Sequence, residues 1–388
     1  MTSPLDLPQR ILLGPGPSNV HPRVLKALSA PVVGHLDPEF FKIIEENKEM
    51  LRWVFKTGNP LTFPVSGTGS AGMEACLVNL IEEGDPVLVC VNGVFGTRMA
   101  DIVERCGGKL VRVEAPWGEI IRPEQVEEAL KEKPAKIVCL VHAETSTGIW
   151  QPVEEISRIA HDAGSLLLLD TVTSLGGCPV TLDAWQVDAC YSGTQKCLSC
   201  PPGLSPVSLS PKAREKIGSR KSKVKSWYLD FTMIERYWGE ERVYHHTAPI
   251  SMNYALHESL ALAQEEGLET RFKRHELNHS ALGVGLRALG IQMAAQGGHR
   301  LWMLNSVRIP EGVNDAGVRK RLLSEFDIEI GAGLGPLAGK TWRIGLMGES
   351  SKKDYVLALL KALGRVLGNS GLKVSEKEAV AAAEKIYR

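Results

Sequence analysis

Two kinds of segment alternate through the middle of the chain. From about residue 61 to 210, short runs rich in valine, isoleucine and leucine recur as "PVLVCV", "KLVRVE", "AKIVCLV", "SLLLLD", "VDACYSG" and "LSPVSLS". Runs that are apolar on consecutive positions predict strands buried on both faces, as in a mostly parallel sheet. Segments such as "RPEQVEEALKEK" and "PVEEISRIAHDAG" have the length and the charged face of the helices that would cover it. Helical patterns dominate from 252 to 290. A second strand-like set follows in "LWMLNSVRIP", "FDIEIGAGLGP" and "KTWRIGLMG", with an amphipathic "YVLALLKALGRVLG". At 388 residues the chain exceeds what one hydrophobic core usually organises. The pattern predicts an α/β protein with an amino-terminal arm (1–10), a large domain (11–266) and a smaller α/β domain (267–388).

Composition narrows the ligand. Lysine plus arginine number 45 and aspartate plus glutamate 45, a formal net charge of zero. That balance lacks the basic excess that nucleic acid or an anionic membrane would select, and it favours a small ligand. All 8 cysteines lie in the first 200 residues, most of them single within apolar runs, which reads as reduced core cysteine. No apolar run approaches the ~20 residues of a membrane span. The start "MTSPLDLPQR" lacks the secretory pattern, and the end "KIYR" is not a peroxisomal address. The expected protein is soluble and cytoplasmic, with no nucleic-acid or membrane partner.

An open α/β sheet takes its ligand beyond the carboxyl ends of its strands, so the polar residues after each run are the candidates for chemistry. "VSGTGSAGMEA" (65–75) opens a helix with glycines and a small hydroxyl residue, and unpaired N–H groups in a helix's first turn suit a phosphate. Phe95 in "NGVFG" is expected in a loop after a strand, where it could lie flat on a ring. "HAETSTG" supplies Thr145, Ser146 and Thr147, Asp170 ends the most apolar strand, and Lys196 follows "DACYSG". Each feature alone also has a plainer use: a tight turn, core packing, a turn or helix cap, a solvated lysine. Together they fall at successive strand ends of one sheet. A phosphate cradle, an aromatic plate, an oxygen-lined edge, a buried carboxylate and an amine are what pyridoxal 5′-phosphate needs. The lysine forms a Schiff base with its aldehyde and the carboxylate pairs with its protonated ring nitrogen. Burial and neighbouring positive charge must then lower the pKa of Lys196.

Two other motifs compete. Cys197 and Cys200 form a Cys-x-x-Cys, but structural zinc needs four ligands and the chain offers one such pair; His245 and His246 are adjacent rather than spaced. The pair also runs into "PPG" instead of opening a helix, unlike a thioredoxin-type redox motif. "GTGSAG" (67–72) fits the dinucleotide fingerprint G-x-G-x-x-G, yet the next strand, "PVLVCVNG", ends without the acidic residue that binds a ribose.

The motifs "LLGPGPSNVHPRVL", "NPLTFPVSGTGSAGMEA", "NGVFGTRMADI", "HAETSTGIWQP", "LLLLDTVTSLGG", "YSGTQKCLSCPPG", "YHHTAPI" and "FDIEIGAGLGPLAGKTWRIGLMG" occur in order over nearly the whole chain. In this they resemble the class V, fold-type I pyridoxal-phosphate aminotransferases, most closely the alanine–glyoxylate and serine–pyruvate (serine–glyoxylate) group. The resemblance implies that Lys196 is the Schiff-base lysine, Asp170 the pyridinium partner, Phe95 the stacking ring and Thr145 the hydroxyl near the cofactor's phenolic oxygen. It implies a phosphate cup of Thr68, Gly69, Ser70 and Gln195. Tyr244 and Thr247 would reach the phosphate of the other subunit's cofactor in a homodimer with shared sites. Arg343 would hold the substrate carboxylate, a task its planar fork of donors suits. Gly14 to Pro17, Gly16 among them, would lie beside the substrate pocket. Relatives often carry tryptophan at the position of Phe95 and histidine at that of Ser70. The implied reaction is a ping-pong transfer between alanine or serine and glyoxylate or pyruvate. A lyase or desulfurase of the same fold is the alternative, as is another amino donor. Desulfurases typically have histidine before the lysine and a cysteine in the smaller domain; here Gln195 precedes Lys196 and no cysteine follows Cys200.

Overall fold

A computed structural model describes residues 6–388. The chain runs through β1 (Ile11–Leu13), α1 (Pro22–Leu28) and α2 (Pro38–Phe55) before the alternating region begins. There follow β2 (Leu61–Ser66), α3 (Gly69–Leu80), β3 (Pro86–Val91), α4 (Val94–Arg105), β4 (Lys109–Glu114), α5 (Pro123–Glu132) and β5 (Ile137–Val141). A short hairpin, β6 (Ala143–Glu144) and β7 (Ile149–Trp150), precedes α6 (Glu154–Asp162), β8 (Leu166–Asp170), β9 (Ala189–Tyr191) and β10 (Leu204–Leu209). Seven of these strands form one sheet in the order β2-β10-β9-β8-β5-β3-β4. Only β10 runs antiparallel to its neighbours; the five strands from β9 to β4 are parallel.

The continuous apolar runs resolve into two faces because side chains alternate along a strand. Val87, Val89 and Val91 of β3 join one core with α3 and α4, whereas Leu88 and Cys90 join a second core with α5 and α6. Ile137, Cys139 and Val141 of β5 likewise divide from Val138 and Leu140. The eight cysteines are all buried and unpaired.

After α7 (Pro211–Gly218), α8 (Phe231–Trp238), α9 (Ile250–Glu266) and α10 (Leu268–Ala288) comes the second set: β11 (Leu304–Arg308), α11 (Asp315–Phe326), β12 (Ile328–Ala332), β13 (Thr341–Gly345), α12 (Lys353–Asn369) and α13 (Glu376–Ile386). Its sheet has the order β1-β12-β13-β11. The sequence pattern counts residues 11–13 with the larger unit, but β1 pairs in parallel with β12 and buries Leu13 in the core that contains Leu286 of α10 and Leu359 of α12. Of the arm expected over 1–10, residues 1–5 lie outside the described residues. No helix of the described residues is long and apolar enough to cross a membrane.

Candidate active site

The carboxyl ends of β8 and β9 and the amino ends of α3 and α4 converge on a cavity of about 160 Å³. Thr68, Gly69, Ser70, Phe95, Asp170, Gln195 and Lys196 all line it, together with Met73, Arg98 and Val172. Gly69 allows this convergence. A Cβ added there would lie 3.2 Å from Val172 and 3.5 Å from the Gly193 backbone, so α3 starts close against the loop that leads to Lys196. Thr68 is the N-cap of α3 yet makes no side-chain cap bond, which leaves donors of the first turn facing the cavity.

Phe95 departs from expectation in its local structure: it sits on the first turn of α4, not in a loop. Position after a strand is common to both arrangements, and only the third dimension separates them. Arg98, one turn further along, places its guanidinium 5.0 Å from the Phe95 ring centre and donates to Ser70 Oγ at 2.9 Å.

Lys196 and Asp170 have reciprocal electrostatics. Burial pushes the Lys196 amine down to about 8, the positive charge of Arg343 adds to this, and Asp170 opposes it. Its Nζ donates to the Pro15 carbonyl. Burial likewise pushes the Asp170 carboxyl up to about 7. The ionised form is favoured by two donors, the Tyr191 hydroxyl at 2.7 Å from Oδ2 and the Val172 N–H at 2.8 Å from Oδ1. A buried acid of this kind gains most from a cation brought against it.

Gly16 reaches the same point from the amino-terminal side. Its φ is 104°, and an added Cβ would stand 2.5 Å from Lys196 Nζ. Arg343 of β13 is buried; its Nε donates to the Ala332 carbonyl at 2.7 Å and its Nη1 to the Thr145 carbonyl at 3.4 Å. Its guanidinium thus meets carbonyl oxygens, not a carboxylate, and keeps donors for an incoming anion. Thr145 is itself buried. Tyr244 and Thr247 do not join the cavity: Tyr244 is 57 % exposed and tilts against His35, and Thr247 is exposed as well.

Several participants carry no signal in the sequence. Tyr191 reads as a strand residue, and only its register beside Asp170 on β8 reveals the bond between them. Ser18 supports the lysine loop by donating from its Oγ to the Lys196 carbonyl at 2.9 Å and from its N–H to the Gln195 carbonyl at 2.9 Å. Arg271 of α10 donates to the Cys197 carbonyl and, at 2.9 Å, to that of Gly176. The Cys-x-x-Cys pair belongs to the core; Cys197 Sγ donates to the Thr173 carbonyl at 3.2 Å. Among the described residues no group of three or more His, Cys, Asp or Glu could hold a metal ion.

Pyridoxal 5′-phosphate fits these residues on the structure's own terms. The α3 N-cap leaves backbone donors open for a phosphate, and an amine and a carboxylate whose pKa values are both shifted by burial share one cavity. Fold and site together suit a pyridoxal-phosphate enzyme. Residues 12–337 match the family described as aminotransferase class-V. The chain is 39 % identical to (S)-ureidoglycine–glyoxylate transaminase of Bacillus subtilis (strain 168), over 99 % of this chain and 96 % of that one. It is 42 % identical to alanine–glyoxylate aminotransferase of Rattus norvegicus, over 95 % and 90 % of the two chains. The crystal structure of an alanine–glyoxylate aminotransferase from Nostoc sp. superposes with a TM-score of 0.94 at 49 % identity, covering 95 % of this chain and 97 % of that one. The chain belongs to the class-V aminotransferases, and it is a pyridoxal-phosphate-dependent aminotransferase of fold type I.

Proposed function

We propose that the enzyme transfers the amino group of a small amino acid, alanine or serine, to glyoxylate or pyruvate, with Lys196 as the proton-carrying amine. The observation that carries this reading is the pairing of a buried Lys196 with an Arg343 whose guanidinium, among the described residues, bonds to carbonyl oxygens alone. Bound in the cavity, the cofactor supplies an aldehyde for amines and a ring that accepts the electron pair of a broken Cα–H bond. Arg343 binds the carboxylate of each substrate in turn and so fixes where its Cα points. Lys196 Nζ, its pKa lowered to about 8 chiefly by burial, takes and returns the Cα proton. Asp170, held by Tyr191 and Val172, would pair with the cofactor's ring nitrogen and keep it protonated. Thr68, Gly69, Ser70 and Gln195 of the cavity lining would hold the phosphate and Phe95 would stack on the ring; Thr145, outside that lining, would offer its hydroxyl toward the phenolic oxygen, and Gly16 lets the amino-terminal segment close over Lys196.

Both relatives named from curated sequences act on glyoxylate while their donors differ, which supports glyoxylate as acceptor more firmly than any one donor. The test is a panel of alanine, serine and (S)-ureidoglycine against glyoxylate and pyruvate, read by product and by cofactor absorbance. Spectral conversion by alanine or serine with matching keto-acid product is the expected result. Conversion without transfer to either keto acid would instead favour a lyase. Within the same proposal the protein is a homodimer in which Tyr244 and Thr247 serve the neighbouring site. Their exposure, beside Trp227 at 60 % and Tyr228 at 43 %, supports this. Dilution to monomers should then release the cofactor; a monomer that retains it would refute the shared site. A cytoplasmic location is supported by eight unpaired cysteines. A division near residue 267, with residues 11–13 added to the smaller unit, completes the proposal.

A further inference from the structure

The segment "HAETSTG" contributes Thr145 to the reading above and leaves Glu144 without a task. Glu144 closes β6 and is fully buried. Pairing of β6 with β7 makes residues 145–148 a tight turn at the edge of the site. The carboxylate lies under the start of α4, whose N-cap Gly93 offers no side chain of its own. A Cβ at Gly93 would fall 2.3 Å from Glu144 Cδ, so this glycine is what lets the carboxylate approach.

Every described bond to the two oxygens comes from a donor. Oε2 accepts the Phe95 N–H at 3.0 Å, and Oε1 accepts the Ser146 N–H at 3.0 Å and the Ser146 hydroxyl at 2.6 Å. Ser146 Oγ in turn accepts the Val94 N–H at 3.0 Å, so its single hydrogen is committed to Glu144. The first turn of α4, including the residue that carries the stacking ring, is therefore capped from a distant loop. The next residue of that loop, Thr145, gives its carbonyl to Arg343 Nη1. Glu144 is also the carboxylate whose charge favours the Arg343 guanidinium.

We propose that Glu144 is a positioning residue: it ties the stacking ring of Phe95 and the substrate-binding Arg343 to a single turn, so that cofactor plate and carboxylate clamp keep one relative geometry. This rests on the roles given above to Phe95 and Arg343. A carboxylate is required because an amide would turn its NH2 group toward either Phe95 N–H or Ser146.

The test measures the dissociation constant of pyridoxal phosphate by fluorescence titration of the apoprotein, together with KM and kcat for the amino donor, in Glu144→Gln, Phe95→Leu, Arg343→Gln and the two double variants containing Glu144→Gln. Glu144→Gln should weaken cofactor binding about tenfold, the loss of about one buried charge-assisted hydrogen bond, and raise KM severalfold with a smaller change in kcat. Phe95→Leu should move the cofactor constant more than the KM, and Arg343→Gln the KM more than the cofactor constant. Each double variant should resemble its worse single parent, because the effects act through one contact set. Ser146→Ala should show the same signs at smaller size, and it carries the test if Glu144→Gln does not fold. The proposal is overturned if Glu144→Gln lowers only the melting temperature, with both constants at wild-type values, or if its losses multiply with those of Phe95→Leu. Should Phe95→Leu and Arg343→Gln leave both constants unchanged, the underlying roles fail, and this proposal falls with them, whatever Glu144→Gln does.

Discussion

Titration of Lys196 tests the electrostatics of the site most directly. The amine is 8 % exposed, with a pKa of about 8 against 10.5 for a free lysine. A difference of 2.5 units makes the unprotonated amine about 300-fold more abundant at pH 7 than in a solvated lysine, roughly one molecule in ten instead of one in three thousand. A brief pulse of formaldehyde with a mild hydride donor, applied to the apoprotein between pH 6 and 11 and read by peptide mass spectrometry, reports that fraction residue by residue. Exposed lysines in the same sample serve as the reference. Labelling of Lys196 should rise tenfold per pH unit and level off near pH 8. Arg343→Met should move the plateau to higher pH, since the arginine's positive charge is the second cause of the depression after burial. Asp170→Asn should move it lower, because Asp170 opposes the shift. A wild-type profile that climbs unbroken beyond pH 10 would refute the burial of the charge, and one unmoved by Arg343→Met would refute the proximity of the two cations.

Asp170→Asn should also alter how apoprotein stability depends on pH. With a native pKa of about 7 against 3.8 unfolded, the native state binds more protons between about pH 4 and 7, so wild type loses stability as pH rises through that window, by at most about 4 kcal/mol, and the variant lacks this slope. Melting temperatures of the two that run parallel from pH 4 to 8 would contradict it. Tyr191→Phe removes a 2.7 Å bond that favours the ionised carboxylate, so the upper edge of that window should rise by about one pH unit while its lower edge, set by the unfolded chain, stays in place. Gly16→Ala forces a Cβ to within 2.5 Å of Lys196 Nζ at a φ of 104°. It should lower kcat at least about tenfold with about 1–2 kcal/mol of backbone strain, and steady-state rates equal to wild type would show that Lys196 has room to move.

What could be read from the sequence is what depends on local spacing. Consecutive apolar residues announced β3, β5 and β8 because helices cover both faces, and the polar residues after those strands had to gather at one edge of the sheet. That reasoning reaches Asp170, Lys196 and the start of α3, and the resemblance to a family adds Gln195 and Arg343. The missing parts are contacts that no window contains. Ser18 meets Lys196 across 178 positions, and Arg271 meets Cys197 across 74. β1 is three residues long, too short to show which sheet it joins, and its partner β12 lies more than three hundred residues away. Tyr191 has the apolar bulk of a strand core, and its hydroxyl finds Asp170 only because β8 and β9 are in register at those two residues.

Those long-range contacts explain why an ammonium can remain buried at all. The peptide carbonyls around Lys196 are already occupied: Gln195 and Lys196 by Ser18, and Cys197 by Arg271. The Ser199 hydroxyl takes the Glu349 N–H at 2.7 Å and contacts Ser18 Oγ at 3.0 Å, which joins the loop to the segment after β13. The loop is thus held from the amino-terminal segment, from α10 and from the segment after β13 at once. A loop held in this way cannot swing its amine into water to recover hydration, so the desolvation falls on the ionisation equilibrium and appears as a lowered pKa. The same second sheet supplies Arg343. In the proposed reading the strand ends of the first sheet form the cofactor side of the site and the second sheet forms the carboxylate side. Their junction at residues 195–199 sets both the reach and the basicity of the amine between them.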